Sequence, residues 1–297
     1  MDDDYIVIGP AGKTRFVAEE IFGSDGEIIA HRDEDKLLLK KQETPKLRSR
    51  DSILSLIEEE PLSTTRNAII SIHHSKTRTE RDSRPFDQEK LEKLIADIGD
   101  LNSLERNRSL DLLSKAYILK RLFPEQFEWV AEQMIDIFDT IEEVDIGPRR
   151  GFSTVSMRGP FDFLVPAFRE RGIDGWIYDD KMSSGMRRTL MHLLELHLEP
   201  PGSVVLIDEY ENGMGVNCLP QITELLLQRA GDLQLIFTSH HPFVIEKISK
   251  EWWMVMQRNG HDVTVLKADD IKRLNTASNQ DAFIQLVNAP EYLNGVS

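Results

Sequence analysis

The segment Ser203-Val204-Val205-Leu206-Ile207-Asp208-Glu209 constrains the fold more than any other stretch of the chain. Four consecutive apolar residues read as a strand buried on both faces, since a strand with one wet face alternates apolar and polar side chains. Leu233-Gln234-Leu235-Ile236-Phe237 reads as a second buried strand. Helical patterns separate and flank the two. Such βαβ alternation predicts an α/β fold with a mostly parallel sheet and helices on its faces.

In sheets of this kind, ligand sites gather beyond the carboxyl ends of the strands. Asp208 and Glu209 stand at that end of the first strand, and Thr238-Ser239-His240-His241-Pro242 follows the second. In a nucleotide hydrolase the first carboxylate holds the Mg2+ shell and the second polarises the attacking water as general base. The bland alternative is that the two acids only end a strand. A histidine at a strand tip donates a hydrogen bond to a terminal phosphate or orients water, which makes His240 a candidate. Adjacent histidines on extended backbone point to opposite sides, so His240 and His241 are a poor pair of metal ligands. Upstream, Ser183-Ser184-Gly185 opens a helix whose one face carries Met186, Leu190, Leu193, Leu194, His197 and Leu198. Hydroxyls, free N–H groups and the positive dipole end make that helix start an anion site suited to a phosphate. Taken alone, the tripeptide is an ordinary serine N-cap.

The rest of the chain divides by pattern. Residues 1–50 read as a β-meander with strands near 5–8, 15–18, 27–30 and 36–39. The turns between them are Gly9-Pro10-Ala11-Gly12, Gly23-Ser24-Asp25-Gly26 and Asp33-Glu34-Asp35. Residues 51–146 read as a mostly helical lobe. It holds a short helix from Ile53 to Glu60, a possible strand from Asn67 to His73, and three helical faces. Those faces are Leu91/Leu94/Ile95/Ile98, Leu112/Leu113/Ala116/Leu119 and Phe127/Val130/Met134/Ile137/Phe138/Ile141. After Gly147-Pro148 short strands lead to Trp176-Ile177-Tyr178 and then to the alternating core, 147–297.

Composition narrows the function classes. No run of 18 apolar residues exists, so no membrane span is expected. A single cysteine, Cys218, excludes an intrachain disulfide and a cysteine-rich metal site, and points to a reducing cytoplasm. The formal net charge of −15 argues against phosphate-backbone binding by the whole surface. A local basic run, Lys36 to Arg50, reads as a solvated strand edge and loop.

Together, Ser183-Ser184-Gly185, then Leu206-Ile207-Asp208-Glu209-Tyr210-Glu211-Asn212-Gly213, then Thr238-Ser239-His240-His241-Pro242 resembles the ABC-type AAA ATPases, a group related to RecF, the SMC heads and the overcoming-lysogenization-defect nucleases. The strong likeness spans about residues 176–250. It implies a P-loop NTPase-like fold, an ABC ATPase head, that binds ATP and Mg2+. Ser183, Ser184 and Gly185 match the signature motif, which in that group contacts the ATP held by the opposite subunit. Asp208 matches the Walker B aspartate and metal ligand, Glu209 the catalytic glutamate, and His240 the switch histidine. Glu211 and Asn212 match the acidic-Asn extension leading into the D-loop. Many relatives continue with Leu-His-Pro, where this chain has Met214-Gly215-Val216. The resemblance implies an ATP-dependent homodimer that drives a conformational change, with an effector protein as a further partner. DNA maintenance and anti-phage defence enter by analogy only.

Such an ATPase needs Gly-x-x-x-x-Gly-Lys-Ser/Thr near its start. The nearest string, Gly9-Pro10-Ala11-Gly12-Lys13-Thr14, is two residues short of that pattern, and β-favouring Phe16-Val17 follows where a helix should open. It reads as a hairpin turn, with a degenerate phosphate loop as the alternative. The expectation is a chain lacking the start of its domain: a truncated chain, a truncated reading frame or one piece of a split protein. It would then bind ATP weakly and hydrolyse none alone. Two other functions stay open. One is a non-catalytic interaction or regulatory module with a remnant ATPase fold. The other is a metal-dependent nuclease using Asp208, Glu209, Glu211 and His240, with Asp269-Asp270 as the one further acidic segment.

Overall fold

The parallel pairing anticipated from the two apolar runs is the centre of the structure. The computed structural model of the chain describes residues 7–8, 14–15, 19–22, 27–33, 36–39, 42–44, 69, 71–75, 85–152, 160–276 and 278–288. They fall into two compact units, Met1–Ile72 and His73–Ser297.

In the first unit β1 (Val7–Ile8) pairs antiparallel with β2 (Thr14–Arg15). A four-stranded antiparallel sheet follows, in the order β3 (Glu19–Phe22), β4 (Ile28–Arg32), β5 (Leu37–Leu39), β6 (Gln42–Thr44). Ala30 and Leu37 are buried. Glu20 stands directly across from His31, and its Oε1 lies 2.8 Å from His31 Nδ1. The meander is therefore present, but with more strands than the sequence pattern suggests. Arg15 of the strand expected at 15–18 lies in β2, and residues 16–18 lie outside the described residues; β3 was not anticipated, because its leading Glu19-Glu20 masks its β character. Of the expected hairpin Gly9–Thr14, residues 9–13 lie outside the described residues. So do the expected helix from Ile53 to Glu60 and residues 67, 68 and 70 of the strand expected from Asn67 to His73, whose last two residues do lie in a strand, Ile72–His74.

In the second unit four helices follow two short strands, and side-chain caps or a proline explain where they start. Asp87 accepts from the amides of Glu89 and Lys90 at the head of α1 (Gln88–Asp97). Asp100 and Ser103 form a reciprocal capping box on α2 (Leu101–Arg106), and Asp111 caps α3 (Leu112–Leu122). Pro124 occupies the first turn of α4 (Pro124–Ile137), where its missing N–H costs nothing. The apolar faces read from periodicity are the ones that pack: Leu91, Ile95, Leu113, Ala116, Leu119, Phe127, Val130, Met134 and Ile137 are all buried.

The short strands expected after residue 147 are instead one long hairpin. β9 (Ile141–Phe152) runs antiparallel to β10 (Pro160–Glu170), and Gly147 and Pro148 sit inside β9 opposite Val165 and Leu164. The other edge of β10 pairs with β8 (Pro85–Phe86) and with β11 (Ile177–Tyr178). Gly and Pro normally punctuate strands, so the pattern hid a strand that runs through them.

α5 (Ser184–Leu198) leads into β12 (Val204–Ile207), then α6 (Leu219–Arg229), β13 (Gln234–Phe237) and α7 (Pro242–Lys247). β12 and β13 are parallel, with Val204 opposite Gln234 and Ile207 opposite Phe237. The sheet order is β13-β12-β7, where β7 is Ile72–His74. Val205 and Ile207 are buried in the core shared with α5 and α6, whereas Val204 and Leu206 are half-exposed and Ile236 is 52% exposed. Burial on both faces is expected for β12, but its apolar run packs on one face only, and β13, expected to be buried, alternates exposed and half-buried residues. The chain closes with the hairpin β14 (Met254–Asn259) and β15 (Asp262–Lys267), and with α8 (Asn279–Val287). Val255, Ala268, Ile271, Leu274 and Ala282 form a smaller second core there. Among the described residues, no helix is long and apolar enough to cross a membrane.

A buried polar cluster ties α5 to the strand segment beside β12. Glu195 accepts from Ser75 Oγ at 2.6 Å and lies 2.8 Å from His73 Nε2. One helical turn on, Glu199 receives both terminal nitrogens of Arg108, at 3.0 and 3.2 Å. The far end of α5 is closed by Arg229, which donates to the carbonyls of Leu196 and Glu199 that the helix leaves unpaired. Burial alone pushes the Glu195 carboxyl up, but the imidazoles of His192 and His73 and the Ser75 hydroxyl outweigh it and hold it at about 2. Its stabilising contribution is therefore complete above its ordinary value of 4.5 and fades as pH falls toward about 2. Glu195→Gln is expected to cost roughly 3 kcal/mol at neutral pH and to flatten the acid limb of the stability curve. Denaturant melts of both proteins from pH 7 to pH 2.5 check this; parallel curves would contradict it.

Candidate functional site

The β12–β13 register brings two chain tips side by side. The parallel ladder continues past the strands: Thr238 N–H donates to Ile207 O at 3.0 Å, and Tyr210 N–H donates to Thr238 O at 2.9 Å. This places the Thr238 side chain between the two acids. Its hydroxyl donates to Asp208 Oδ1 at 2.8 Å while its oxygen accepts the Glu209 N–H at 2.7 Å. One threonine thus orients a carboxylate and fixes the backbone of the next residue. Asp208 and Glu209 are both exposed at the strand tip, while Tyr210 immediately after them is fully buried.

Glu209 adopts a φ of 49°, the only described non-glycine residue with a positive φ. That left-handed conformation is unfavourable for a side chain of this size and persists only where surroundings impose it. Here the N–H is held by Thr238, the carbonyl accepts from Arg188 Nη2 at 3.0 Å and from Asn212 N–H at 2.9 Å, and Oε2 accepts from Asn212 Nδ2 at 2.6 Å. Gly213, with φ 77°, completes the turn.

His240 comes to the same edge through Glu211. The Glu211 carboxylate is buried, and its Oε1 accepts the His240 N–H at 2.8 Å and lies 3.0 Å from His240 Nδ1. Burial raises the Glu211 carboxyl, but the amides of His240 and Glu211, the Ser239 hydroxyl and the His240 ring outweigh it, and the net shift is downward. An ionised Glu211 makes Nδ1 the donor and turns Nε2 outward on a ring that is 77% exposed. In the neutral ring Nε2 accepts, which suits orienting a water; only the imidazolium would donate to a phosphate. Glu211 therefore holds His240 from within, and Asn212 holds Glu209.

The Ser183–Gly185 segment approaches from the helix side. Ser183 caps α5, its Oγ accepting the Met186 N–H at 3.1 Å, and Ser184 is exposed in the first turn. Gly185 presses on the loop that follows Glu209: a Cβ there would lie 3.3 Å from Gly215 N and 3.7 Å from Gly213 O. The backbone of the first turn of α5 thus meets the 213–215 loop directly. Cys218 is buried behind this loop, with Sγ 3.0 Å from Gly215 O, and Val216 is exposed on it.

The structure thus draws Asp208, Glu209, Asn212 and His240 to one edge and seats Ser183, Ser184 and Gly185 beside the loop leaving it. Thr238 and Arg188 were missed by sequence reading, although each left a trace. Thr238 is the first residue after the second apolar run, and Arg188 is a charge one turn after Gly185 on a largely apolar helix. Asp269 and Asp270 lie exposed in a 3-10 turn, Ala268–Asp270. Among the described residues, no group of three or more His, Cys, Asp or Glu side chains is arranged to hold a metal ion by itself.

Comparison with known proteins places these features in a family. The model of a family described as "AAA domain, putative AbiEii toxin, Type IV TA system" matches residues 78–246, more than half of the chain and all of the site. No curated protein matches the chain. Among solved structures, one described as "Structural biochemistry of ATP-driven dimerization and DNA stimulated activation of SMC ATPases" is 15% identical, covers 52% of this chain and 95% of that chain, and has a TM-score of 0.32. Another, described as "Crystal structure of the SmcHead bound to the C-winged helix domain of ScpA", is 11% identical, covers 86% of this chain and 69% of that chain, and has a TM-score of 0.41. Both likenesses are too distant to carry a functional argument.

Thr238→Val keeps the shape of the side chain but removes the hydroxyl shared by Asp208 and Glu209. It is expected to lower stability by about 1–2 kcal/mol, with Thr238→Ser close to wild type. Chemical denaturation of the three proteins checks this, and a neutral Thr238→Val would remove the threonine from the site.

Proposed function

The chain belongs to this AAA-domain family, and on that premise we propose that it is an ATPase head of the ABC type, which binds Mg2+·ATP at the strand-tip edge and associates with a second copy around it. In this reading Glu209 polarises the attacking water, and His240 orients that water through Nε2. Asp208 is the protein's ligand to Mg2+. An exposed carboxylate aimed by a neighbouring hydroxyl suits an ion that takes one or two carboxylates and completes its shell with water and phosphate oxygens. When bound, the ion would neutralise charge on the phosphates. The observation that carries the reading is the turn at Glu209, where the backbone is held in a strained conformation by Thr238, Arg188 and Asn212, as expected for a group that must be pre-aimed.

The exposure of Ser183 and Ser184 supports the copy-to-copy association. They are exposed at the start of α5 and offer hydroxyls and amides to an anion. A nucleotide held by one copy and capped by the other would use both surfaces. The whole-protein role, including any effector protein or DNA, belongs to the same proposal, and the net charge of −15 sets DNA apart as the least favoured partner.

A second reading, a remnant fold acting as a binding module, draws on Thr14, which lies in an antiparallel strand rather than opening a helix. Light scattering separates the two. With millimolar Mg2+·ATP the Glu209→Gln protein is expected to double its mass, because a slowed hydrolysis step holds the associated state, and Ser184→Arg is expected to prevent it. Phosphate release, where present, should drop at least about 100-fold in Glu209→Gln. A mass that ignores nucleotide in every variant favours the module.

A further inference from the structure

The geometry points to Arg188 as a positioning residue that ties the helix carrying Ser183–Gly185 to the backbone of Glu209, so that movement of one is passed to the other. The inference rests on the ATPase reading above and adds a mechanical link to it. Arg188 is 5% exposed. A guanidinium at that depth must recover its lost hydration through its contacts. One of those contacts is the carbonyl of Glu209, at 3.0 Å. The carbonyl belongs to the residue whose φ is 49°, and its direction depends on that φ. If residue 209 relaxed to the ordinary right-handed region, the carbonyl would swing away from Arg188 and the side chain would leave its present aim.

The arginine stem makes a second contact. A Cβ on Gly213 would lie 3.4 Å from Arg188 Cδ, so the stem lies against the backbone where the turn closes at φ 77°. One helical turn earlier on α5, the place of a Cβ on Gly185 is 3.3 Å from Gly215 N. Two points on α5, at 185 and 188, therefore bear on one short loop, 209–215. Both contacts are made at glycines, Gly185 and Gly213, and the space left at each is no larger than a methyl group, so a shift of the helix start toward the loop soon meets it. An anion drawn to Ser183 and Ser184 acts on the end of this lever, and the Glu209 carbonyl is at the other end.

Backbone amide hydrogen exchange on the full chain reads the link without needing turnover. Arg188→Met keeps the stem over Gly213 and removes the donor; Arg188→Lys keeps a donor. In Arg188→Met the amides of Asn212 and Met214, which close the turn onto Glu209 and Glu211, are expected to exchange roughly tenfold faster, with the β12 amides unchanged. Arg188→Lys should stay near wild type. Adding Glu209→Gly to Arg188→Met should restore part of the protection, because glycine enters the left-handed conformation without the steric cost that Arg188 offsets. A simple packing defect at Arg188 would not be rescued in this way. Unchanged exchange in Arg188→Met, or a loss that glycine at 209 fails to reverse even in part, overturns the proposal.

A second arm adds Mg2+ with a non-hydrolysable ATP analogue. Protection over 209–215 should rise in the wild type and stay unaltered in Arg188→Met, although the α5 start responds in both. An equal rise over 209–215 in both proteins overturns the coupling. No response anywhere in the wild type sinks the ATPase reading and the coupling with it, while the nucleotide-free comparison still judges the clamp.

Discussion

The hydroxyl of Thr238 sits at the point where the two parallel strands end, and the arrangement of the edge follows from it. Parallel pairing of β12 and β13 in one register sets Thr238 level with the Asp208–Glu209 peptide. A hydroxyl can give one hydrogen bond and accept others, and here it gives to Asp208 and accepts from Glu209. Slipping the register by one residue would turn Thr238 to the opposite side of the sheet and break both links at once. The positions of the acids are therefore a property of strand pairing, not of the loop that carries them. His240 is placed in the same way, two residues past Thr238 and held by Glu211 from the neighbouring tip.

The centre of the fold was legible because its signals are local and strong. Two apolar runs, each ending in polar tips and separated by helical periods, gave the parallel pair. Ser183, read as an N-cap, stands where α5 begins. What was not legible depends on partners far away in the chain. Gly147 and Pro148 look like a break, yet pairing with Leu164 and Val165 carries β9 through them. Val204, Leu206 and Ile236 look like core residues, but nothing in their own pattern tells which face will be covered. Among the site residues, the acids and His240 announce themselves by type and position. Arg188 does not, because the carbonyl that holds it lies 21 residues away, across the strand and turn.

α5 is held by polar bonds along its whole length. Ser183 closes its start, Arg229 its end, and Glu195 and Glu199 bind His73, Ser75 and Arg108 along its length. Apolar packing alone would let a helix slide and rotate with small losses. Directional bonds to buried charges resist such motion, because a displaced carboxylate leaves its partners unsatisfied. The helix is thus a stiff rod seated on the sheet at one end and on the 213–215 loop at the other, the condition under which a small displacement at its tip is conveyed rather than dissipated.

The seclusion of Cys218 has a practical corollary. It is the sole cysteine in the chain and is wholly buried, with its sulfur turned to the Gly215 carbonyl. A thiol shielded in this way reacts slowly with alkylating dyes. The native background is therefore quiet, and a cysteine engineered at the exposed Val216, two residues away, would be the single fast-reacting thiol. A fluorophore or spin label could then be set on the turn beside the acids without first stripping the protein of its own sulfhydryl.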